Sequence, residues 1–120
     1  MDLGCGADSP LGRFSVLLSY SLGVERFEPY LVKSQAGKKH AEYLAADILT
    51  ACRNFKDNSF DCVLALDVIE HFKKEEGLKI LIEMERIAAK KVIIYTPNGF
   101  LKQKALDAND GQVHLSGWEV

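Results

Sequence analysis

DLGCG, at residues 2–6, is the stretch of sequence that decides the fold. Its two glycines follow a short apolar start, and SPLGRF at residues 9–14 comes soon after them. Ser9 supplies the hydroxyl of a helix N-cap, and Pro10 suits the first helical position. A strand end, a glycine turn and a helix start let the backbone bend sharply and approach a bound nucleotide. Because such turns bind many ligands or none, the interpretation depends on the residues downstream.

Strand-like and helix-like segments alternate along the chain, which is typical of an α/β fold with a mostly parallel sheet. The clearest strand is FDCVLAL at residues 60–66, an apolar run of the kind that is buried on both faces. Residues 74–89 repeat small and apolar side chains at helical spacing, which predicts a helix that packs on the sheet. The other predicted elements are a helix from Ser9 toward Gly23, a strand at 24–27, a helix from Glu28 to about Gly37, strands at 43–46 and 91–95, and a short helix near 101–106.

The composition is that of an ordinary globular domain. The chain has 120 residues, 48% hydrophobic and 27% charged, which predicts one domain over residues 1–120. The formal net charge is −2 and the basic clusters are short, so we expect no nucleic-acid partner. We find no basic and apolar leader and no apolar run of membrane-spanning length. We therefore expect a cytoplasmic protein with no membrane partner.

The cysteines indicate neither a disulfide framework nor a metal site, because they are odd in number and share no metal-ligand spacing. Free thiols of this kind suit a reducing compartment. The three residues are Cys5, Cys52 and Cys62.

An acidic residue follows the glycine turn at a distance typical of a ribose ligand. Glu25 ends the second predicted strand, close to the ~20-residue spacing at which a carboxylate meets ribose hydroxyls in dinucleotide-binding folds. A carboxylate can accept hydrogen bonds from two adjacent hydroxyls. We prefer this interpretation to the alternative, an exposed surface carboxylate.

Four motifs occur in the order found in class I S-adenosylmethionine-dependent methyltransferases. They are DLGCG at 2–6, GVE at 23–25, ADI at 46–48 and FDCVLALDVIEH at 60–71. Within that superfamily the chain resembles the methyltransferase type 11 group of small-molecule enzymes, from Asp2 to about Gly99. The resemblance implies a Rossmann-like, mostly parallel sheet with helices on both faces, S-adenosylmethionine as the cofactor and a small-molecule substrate.

The resemblance also implies roles for the residues around the first turn. Gly4 and Gly6 would let the loop pass the methionine part of the cofactor, and Cys5 lies between them in the same cofactor-binding loop. Asp2 would lie near the cofactor's ammonium group. Glu25 would hold the ribose.

Further matching positions complete the implied site. Asp47 would face the adenine amine, with Ile48 beside the ring, and Asp67 would lie next to the methyl-transfer centre. His71 follows Asp67 where the family often lines its substrate pocket, and an ordinary histidine pKa of about 6.5 lets it take a proton at neutral pH. Asp67 and His71 are the candidate catalytic bases, needed only if the acceptor loses a proton early. The alternative for His71 is a side chain that packs or caps the turn.

Three features depart from the family's pattern. Asp8 replaces a usual third glycine, which brings negative charge near the cofactor's carboxylate unless the side chain turns outward. The first strand is short, and the sequence stops at Val120 before the last two strands usual in the family, so we expect a truncated sheet. Exposed sheet edges favour pairing with another chain, and we therefore expect a homodimer.

The remaining aromatic candidates are assigned to surface or tail positions. His40, beside two lysines, is predicted on the surface. We predict His114 on a mobile tail, with the border of the substrate site as the alternative. Trp118 is predicted to anchor that tail rather than to stack on a substrate.

Two functions are left open by the sequence. The first is a methyltransferase that acts on an unidentified small acceptor, and the alternative is a non-catalytic methyltransferase-like module that works through a partner or as a dimer. A nicotinamide dehydrogenase is disfavoured, because Ser9 occupies the third glycine position of the Gly-x-Gly-x-x-Gly pattern.

Overall fold

A five-stranded parallel sheet forms the centre of the computed structural model, which describes residues 1–119; Val120, the end of the predicted domain, lies outside the described residues. The strand order is β3-β2-β1-β4-β5. The strands are β1 (Asp2–Leu3), β2 (Leu22–Glu25), β3 (Glu42–Ala45), β4 (Phe60–Leu66) and β5 (Ala88–Tyr95). The helices are α1 (Glu28–Ala36), α2 (Ile48–Arg53) and α3 (Lys74–Ile87), with 3-10 helices at Pro10–Leu17, Ile69–His71 and Asp110–Gln112.

The shortest strand lies in the middle of the sheet. β1 has two residues, yet it pairs with β2 on one side and β4 on the other, so that Asp2 is aligned with both Gly23 and Leu64. The chain leaves β1 toward β2 and later returns to the other side of β1 as β4, which makes the gap between β1 and β4 the topological switch point. Open α/β sheets bind ligands at such a point, beyond the carboxyl ends of the strands. The predicted short first strand and parallel sheet are confirmed.

Helices cover both faces of this sheet, as predicted. Alternate strand residues such as Leu3, Val24 and Val63 are fully buried in a core that also contains Ile80 and Met84 of α3. The opposite face carries α1 and the Pro10–Leu17 helix, as right-handed crossovers between neighbouring parallel strands require. The apolar core therefore lies mainly on the α2–α3 side.

The structure corrects several element boundaries. The helix predicted toward Gly23 is a 3-10 helix that ends at Leu17 and has no buried residue, so packing does not stabilise a longer α-helix there. α2 was not predicted, because six residues are too few to show a helical period. Strand β5 begins directly after α3, at Ala88, where no glycine or proline marks the change.

The helix predicted near residues 101–106 is wrong. The described part of this segment has no helix; its groups instead bond to the chain that follows. The Gln103 carbonyl accepts from the His114 amide at 3.3 Å, and the Gln103 side-chain amide donates to the Gln112 carbonyl at 2.8 Å. Hydrogen bonds to residues 112 and 114 thus replace the local hydrogen bonds of a helix.

No helix within residues 1–119 combines the length and the apolar character needed to cross a membrane.

Candidate functional site

The glycine loop after β1 has one glycine that packs and one that faces open space. Gly4 and Gly6 both adopt a positive φ, of 65° and 60°, which glycine tolerates without the penalty a side chain brings. A Cβ on Gly4 would lie 2.9 Å from a methyl of Val68, whereas nothing lies within 4 Å of a Cβ on Gly6. Gly4 therefore allows close packing of the loop on the start of the next element, and Gly6 leaves room above the loop.

Glu25 holds the loop in place from the end of β2. Its carboxylate is only 8% exposed; Oε2 accepts the Gly6 amide at 3.1 Å and Oε1 accepts the Phe27 amide at 2.8 Å. This excludes the exposed surface carboxylate considered from the sequence. Since each carboxylate oxygen can accept more than one hydrogen bond, Glu25 retains acceptor capacity for a ligand.

Asp2 lies beneath the same loop. It is 2% exposed and its Oδ2 accepts a hydrogen bond from the Ser9 hydroxyl. The Nε2 atom of His40 lies 3.2 Å from the same oxygen without forming a hydrogen bond to it. The loop is thus supported from below by a buried polar cluster.

The prediction that His40 lies on the surface is wrong. The residue is 7% exposed and its side chain is fully enclosed. Gly23 makes this possible, because a Cβ at that position would come within 2.5 Å of the imidazole. A glycine inside a strand often marks such a close approach, and this was the signal in the sequence that could have located His40.

Asp8 lines the cavity over the glycine loop. Its side chain is 83% exposed and forms an ion pair with Lys39 at 2.6 Å. The hydrogen bond and the charge of Lys39 lower the pKa of this carboxyl from its usual value. Lys39 therefore offsets the charge of Asp8, while the carboxylate itself stays beside the loop.

The end of β3 contributes Asp47 and Ile48. Asp47 caps α2: its Oδ1 accepts the Thr50 amide at 3.0 Å and its Oδ2 accepts the Thr50 hydroxyl. These hydrogen bonds lower the pKa of Asp47 from its usual value, so it is ionised at neutral pH. Ile48 is buried and places its side chain near Gly4.

Asp67 stands at the carboxyl end of β4, beside the switch point. Its backbone has a φ of 52°, in the left-handed region, and its amide donates to the Tyr95 carbonyl at 2.8 Å. Asp67 is exposed and Val68 after it is buried. The strained turn directs the chain away from the sheet at the point where β1 and β4 open toward solvent.

Two adjoining cavities occupy this end of the sheet. The first has an empty volume of about 540 Å³ including its open mouth, and the second lies over the glycine loop. Gly4, Asp67 and Gln112 line both. All nine predicted site residues line one cavity or the other. The first cavity is lined by Gly4, Glu25, Asp47, Ile48, Asp67 and His71, and the second adds Asp2, Cys5 and Gly6.

The last part of the chain closes over the first cavity. We call residues 97–119 the closing segment. Its Asn109, Gly111 and Gln112 line the cavity, as does Arg26 from the β2–α1 connection. Sequence reasoning missed these four, since they carry no spacing or motif that points to the site.

His71 and His114 meet at the edge of the first cavity. Their ring centroids are 4.8 Å apart, and the His71 Nδ1 lies 3.3 Å from the Val113 carbonyl oxygen. His114 is 8% exposed and its Nδ1 lies 2.6 Å from the Leu101 carbonyl oxygen. The prediction of a mobile tail for His114 is therefore wrong; it lies beside His71, as the alternative held.

Trp118 anchors the closing segment, as predicted. Its ring packs on Gly77 of α3, where a Cβ would come within 2.5 Å of the indole, and Lys74 lies 5.4 Å from the ring centroid. The amides of Leu115 and Ser116 donate to the Glu70 carbonyl at 2.7 and 3.1 Å. The segment is thus attached to both α3 and the turn after β4.

Comparison with known proteins agrees with this architecture. A family model described as "Methyltransferase domain" matches residues 1–96. A crystal structure of magnesium protoporphyrin IX methyltransferase from Synechocystis PCC 6803, with bound S-adenosylmethionine, matches with a TM-score of 0.67 and 18% sequence identity. The match covers 92% of this chain and 52% of that one, so the chain spans about half the length of that protein. No curated protein sequence matches the chain.

The structural likeness shows the fold, and the family model goes further because it covers most of the sequence. The members of this family use S-adenosylmethionine, which agrees with the cofactor expected from the motifs. The chain belongs to the methyltransferase domain family and is a class I, S-adenosylmethionine-dependent type with a Rossmann-like fold.

Proposed function

We propose that this chain transfers a methyl group from S-adenosylmethionine to a small-molecule acceptor. The observation that carries the proposal is the buried Glu25 carboxylate, which holds the Gly6 amide beneath a surface with room for a ligand. The cavity beside it is lined by Glu25, Asp47 and Ile48, which lie at the ends of two neighbouring strands at the same edge of the sheet. The residues therefore fit a nucleoside-containing cofactor.

Residues at the ends of β2 and β3 bind the ribose and the adenine of the cofactor. Glu25 accepts the ribose hydroxyls, and Asp47 accepts from the adenine amine while Ile48 packs against the ring. Asp47 is suited to this because Thr50 occupies only part of its acceptor capacity and keeps it ionised. These three residues line the first cavity together.

The glycine loop binds the methionine part. Gly4, Cys5 and Gly6 line the second cavity with Asp2, whose buried negative charge favours the ammonium group above it. Asp2 also keeps acceptor capacity for that group, because only its Oδ2 is engaged, by Ser9.

Asp67 and His71 lie where the acceptor would enter. When bound, the cofactor would supply a methyl group on a positively charged sulfur. A lone pair of the acceptor would form a bond to the methyl carbon while the carbon–sulfur bond breaks and its electrons stay with the sulfur, which leaves as a neutral thioether. The protein's part is alignment and exclusion of water. Asp67 or His71 accepts a proton when the acceptor must lose one.

The first test is calorimetric titration with S-adenosylmethionine, its demethylated product and a nicotinamide dinucleotide. Glu25→Gln keeps the shape but loses the charge, and hydrogen bonds to charged groups contribute about 1.5–3 kcal/mol. We expect the dissociation constant to rise at least about tenfold, since 1.4 kcal/mol is a factor of ten. The matched control is Glu28→Gln, an exposed residue that lines neither cavity.

The outcomes separate the hypotheses. Binding of the first two ligands, weakened only in Glu25→Gln, supports the proposal. Binding of the nicotinamide dinucleotide alone contradicts it, and so does equal binding by both variants. Absence of binding to all three ligands favours the non-catalytic module.

The module alternative rests on the open edge of the sheet. β5 is the last strand in the order, and its Ile93, Ile94 and Tyr95 are exposed. Unpaired edges favour pairing with another chain, so we propose that the protein forms a homodimer, whether or not it is catalytic. Sedimentation over a wide concentration range tests this, and a constant monomer mass would contradict it.

We further propose a cytoplasmic location. The support is chemical: Cys5, Cys52 and Cys62 are free thiols, which persist in a reducing compartment.

A further inference from the structure

Three metal-ligating side chains meet where the closing segment touches the turn after β4. Glu70, His71 and His114 each offer one ligand atom, and these atoms all lie within 4.8 Å of one another. Glu70 and His114 are buried, at 2% and 8% exposure, and His71 is half-buried. The methyl-transfer proposal uses only His71 of the three, as one of two candidate bases; with the His71 lone pair on a metal ion, that role belongs to Asp67.

Glu70 provides a second, independent observation. Its Oε2 accepts a hydrogen bond from the Thr96 hydroxyl at 3.0 Å, but its Oε1 is buried and has no hydrogen-bond partner among residues 1–119. A buried carboxylate oxygen without a partner is costly, and such groups are rare in folded proteins. The free oxygen therefore points to a cation, and the bonded one resembles a metal-ligating carboxylate held by a neighbour.

The two imidazoles are oriented in the same way. The Nδ1 atoms of His71 and His114 lie at hydrogen-bond distance from the carbonyl oxygens of Val113 and Leu101. A carbonyl oxygen only accepts, so each Nδ1 carries the proton and each Nε2 keeps its lone pair. Metal-binding histidines are commonly oriented through a backbone carbonyl in this manner.

We propose that Glu70, His71 and His114 bind a divalent transition-metal ion, with zinc as the best match. Two imidazoles and one carboxylate are a donor set that zinc accepts, leaving a fourth position open. Zinc–nitrogen distances of about 2.0–2.1 Å place neighbouring ligand atoms roughly 3.3 Å apart. The most widely separated pair of ligand atoms, at up to 4.8 Å, must therefore close by about 1.5 Å to hold the ion.

The open position has a consequence for the site. His71 lines the first cavity, so the fourth ligand of the metal would be water or an acceptor atom on that side. The ion would also join the turn after β4 to the closing segment, because His114 belongs to that segment.

The experiment uses protein freed of metal by a chelator and then titrated with zinc by calorimetry in the presence of a competing ligand. We expect one equivalent to bind, and Glu70→Gln and His114→Gln to bind at least about tenfold more weakly, as lost support of a metal site commonly costs 10–100-fold. Cys62→Ser is the control for binding through thiols. Unchanged affinity in both ligand variants, or loss of binding in the cysteine variant, overturns the proposal.

A measurement on the unaltered chain covers the case in which a variant does not fold. The ring signals of the three histidines are followed by NMR during addition of zinc. Shifts of His71 and His114 with an unchanged His40 support the site. Shifts of His40 alone, or of none, overturn it.

Discussion

The glycine loop and the closing segment form opposite walls of the same crevice, yet they are held in different ways. The loop is held by charged side chains of the neighbouring strands, with Asp2 below and Glu25 beside it. The closing segment is held by hydrogen bonds to scattered backbone carbonyls and by Trp118 at its end.

The difference between these two kinds of contact indicates that the glycine loop is fixed for binding and that the closing segment can open. Buried carboxylates with several acceptor bonds fix the loop before a ligand arrives, which favours binding because little order must be gained. Segments with few buried apolar contacts are those that open locally at low free-energy cost. We infer that a ligand enters past the closing segment and not past the loop.

The largest expected effect comes from a substitution in the glycine loop, the wall that is fixed before a ligand binds. Gly4→Ala introduces a side chain at a positive φ, which costs roughly 1–2 kcal/mol, and its Cβ would lie 2.9 Å from Val68. We expect the free energy of unfolding to fall by about 2–5 kcal/mol in all, because overpacking adds roughly 1–3 kcal/mol to the strain. Urea denaturation measures it.

Gly6→Ala is the matched control for this effect. It has a similar φ but nothing within 4 Å of the new Cβ. Its stability loss should therefore be about 1–2 kcal/mol, while its binding of S-adenosylmethionine should weaken, because the methyl group enters the space above the loop. Equal stability losses in the two variants would show that packing against Val68 does not distinguish the glycines.

The smallest expected effect comes from a substitution that loosens the closing segment. The Tyr30 hydroxyl donates to Asp107 in the closing segment at 2.8 Å. Tyr30→Phe removes one hydrogen bond, worth about 0.5–1.5 kcal/mol, so hydrogen exchange across residues 100–115 should become several-fold faster. Tyr20→Phe is the control, because its hydroxyl donates to Glu42 at 2.9 Å, on β3 rather than on the closing segment.

The pH dependence provides a further check on the same contact. The hydrogen bond to Asp107 raises the pKa of Tyr30 from its ordinary value of 10.0. A group with a raised pKa in the folded state stabilises it fully below the unfolded value and loses that contribution as the pH rises. Protection of the closing segment, taken relative to the base-catalysed exchange of an unfolded chain, should thus fall above pH 10 in the unaltered chain; an identical fall in Tyr30→Phe would contradict the assignment.

The contrast between the glycine loop and the closing segment also explains which parts of the structure could be predicted from the sequence. β4 was predicted with correct bounds, because FDCVLAL is apolar except for Asp61 and is followed by the charged Asp67. The candidate residues at strand ends, such as Glu25 and Asp47, line the cavities because motif spacing along an α/β chain places them at one edge of the sheet.

The closing segment could not be predicted in this way. The contacts of His114 with His71 and Leu101 join residues far apart in sequence, and no period of two or 3.6 residues encodes them. His40 was misplaced for a related reason: two adjacent lysines suggested the surface, while the space left by Gly23 on another strand accommodates the ring. Tertiary packing, rather than local pattern, decided both positions.

Cys5 gives the rigid wall a chemical property of its own. Its thiol is buried beneath the loop, and burial, with the nearby charges of Asp2 and Glu25 adding to it, raises its pKa to about 12. At neutral pH almost no thiolate exists to react with an alkylating or oxidising reagent. Modification of Cys5 therefore requires the loop to move away from the core. The rate at which a thiol reagent modifies Cys5, compared with its rate at the less buried Cys62, measures how often the loop opens.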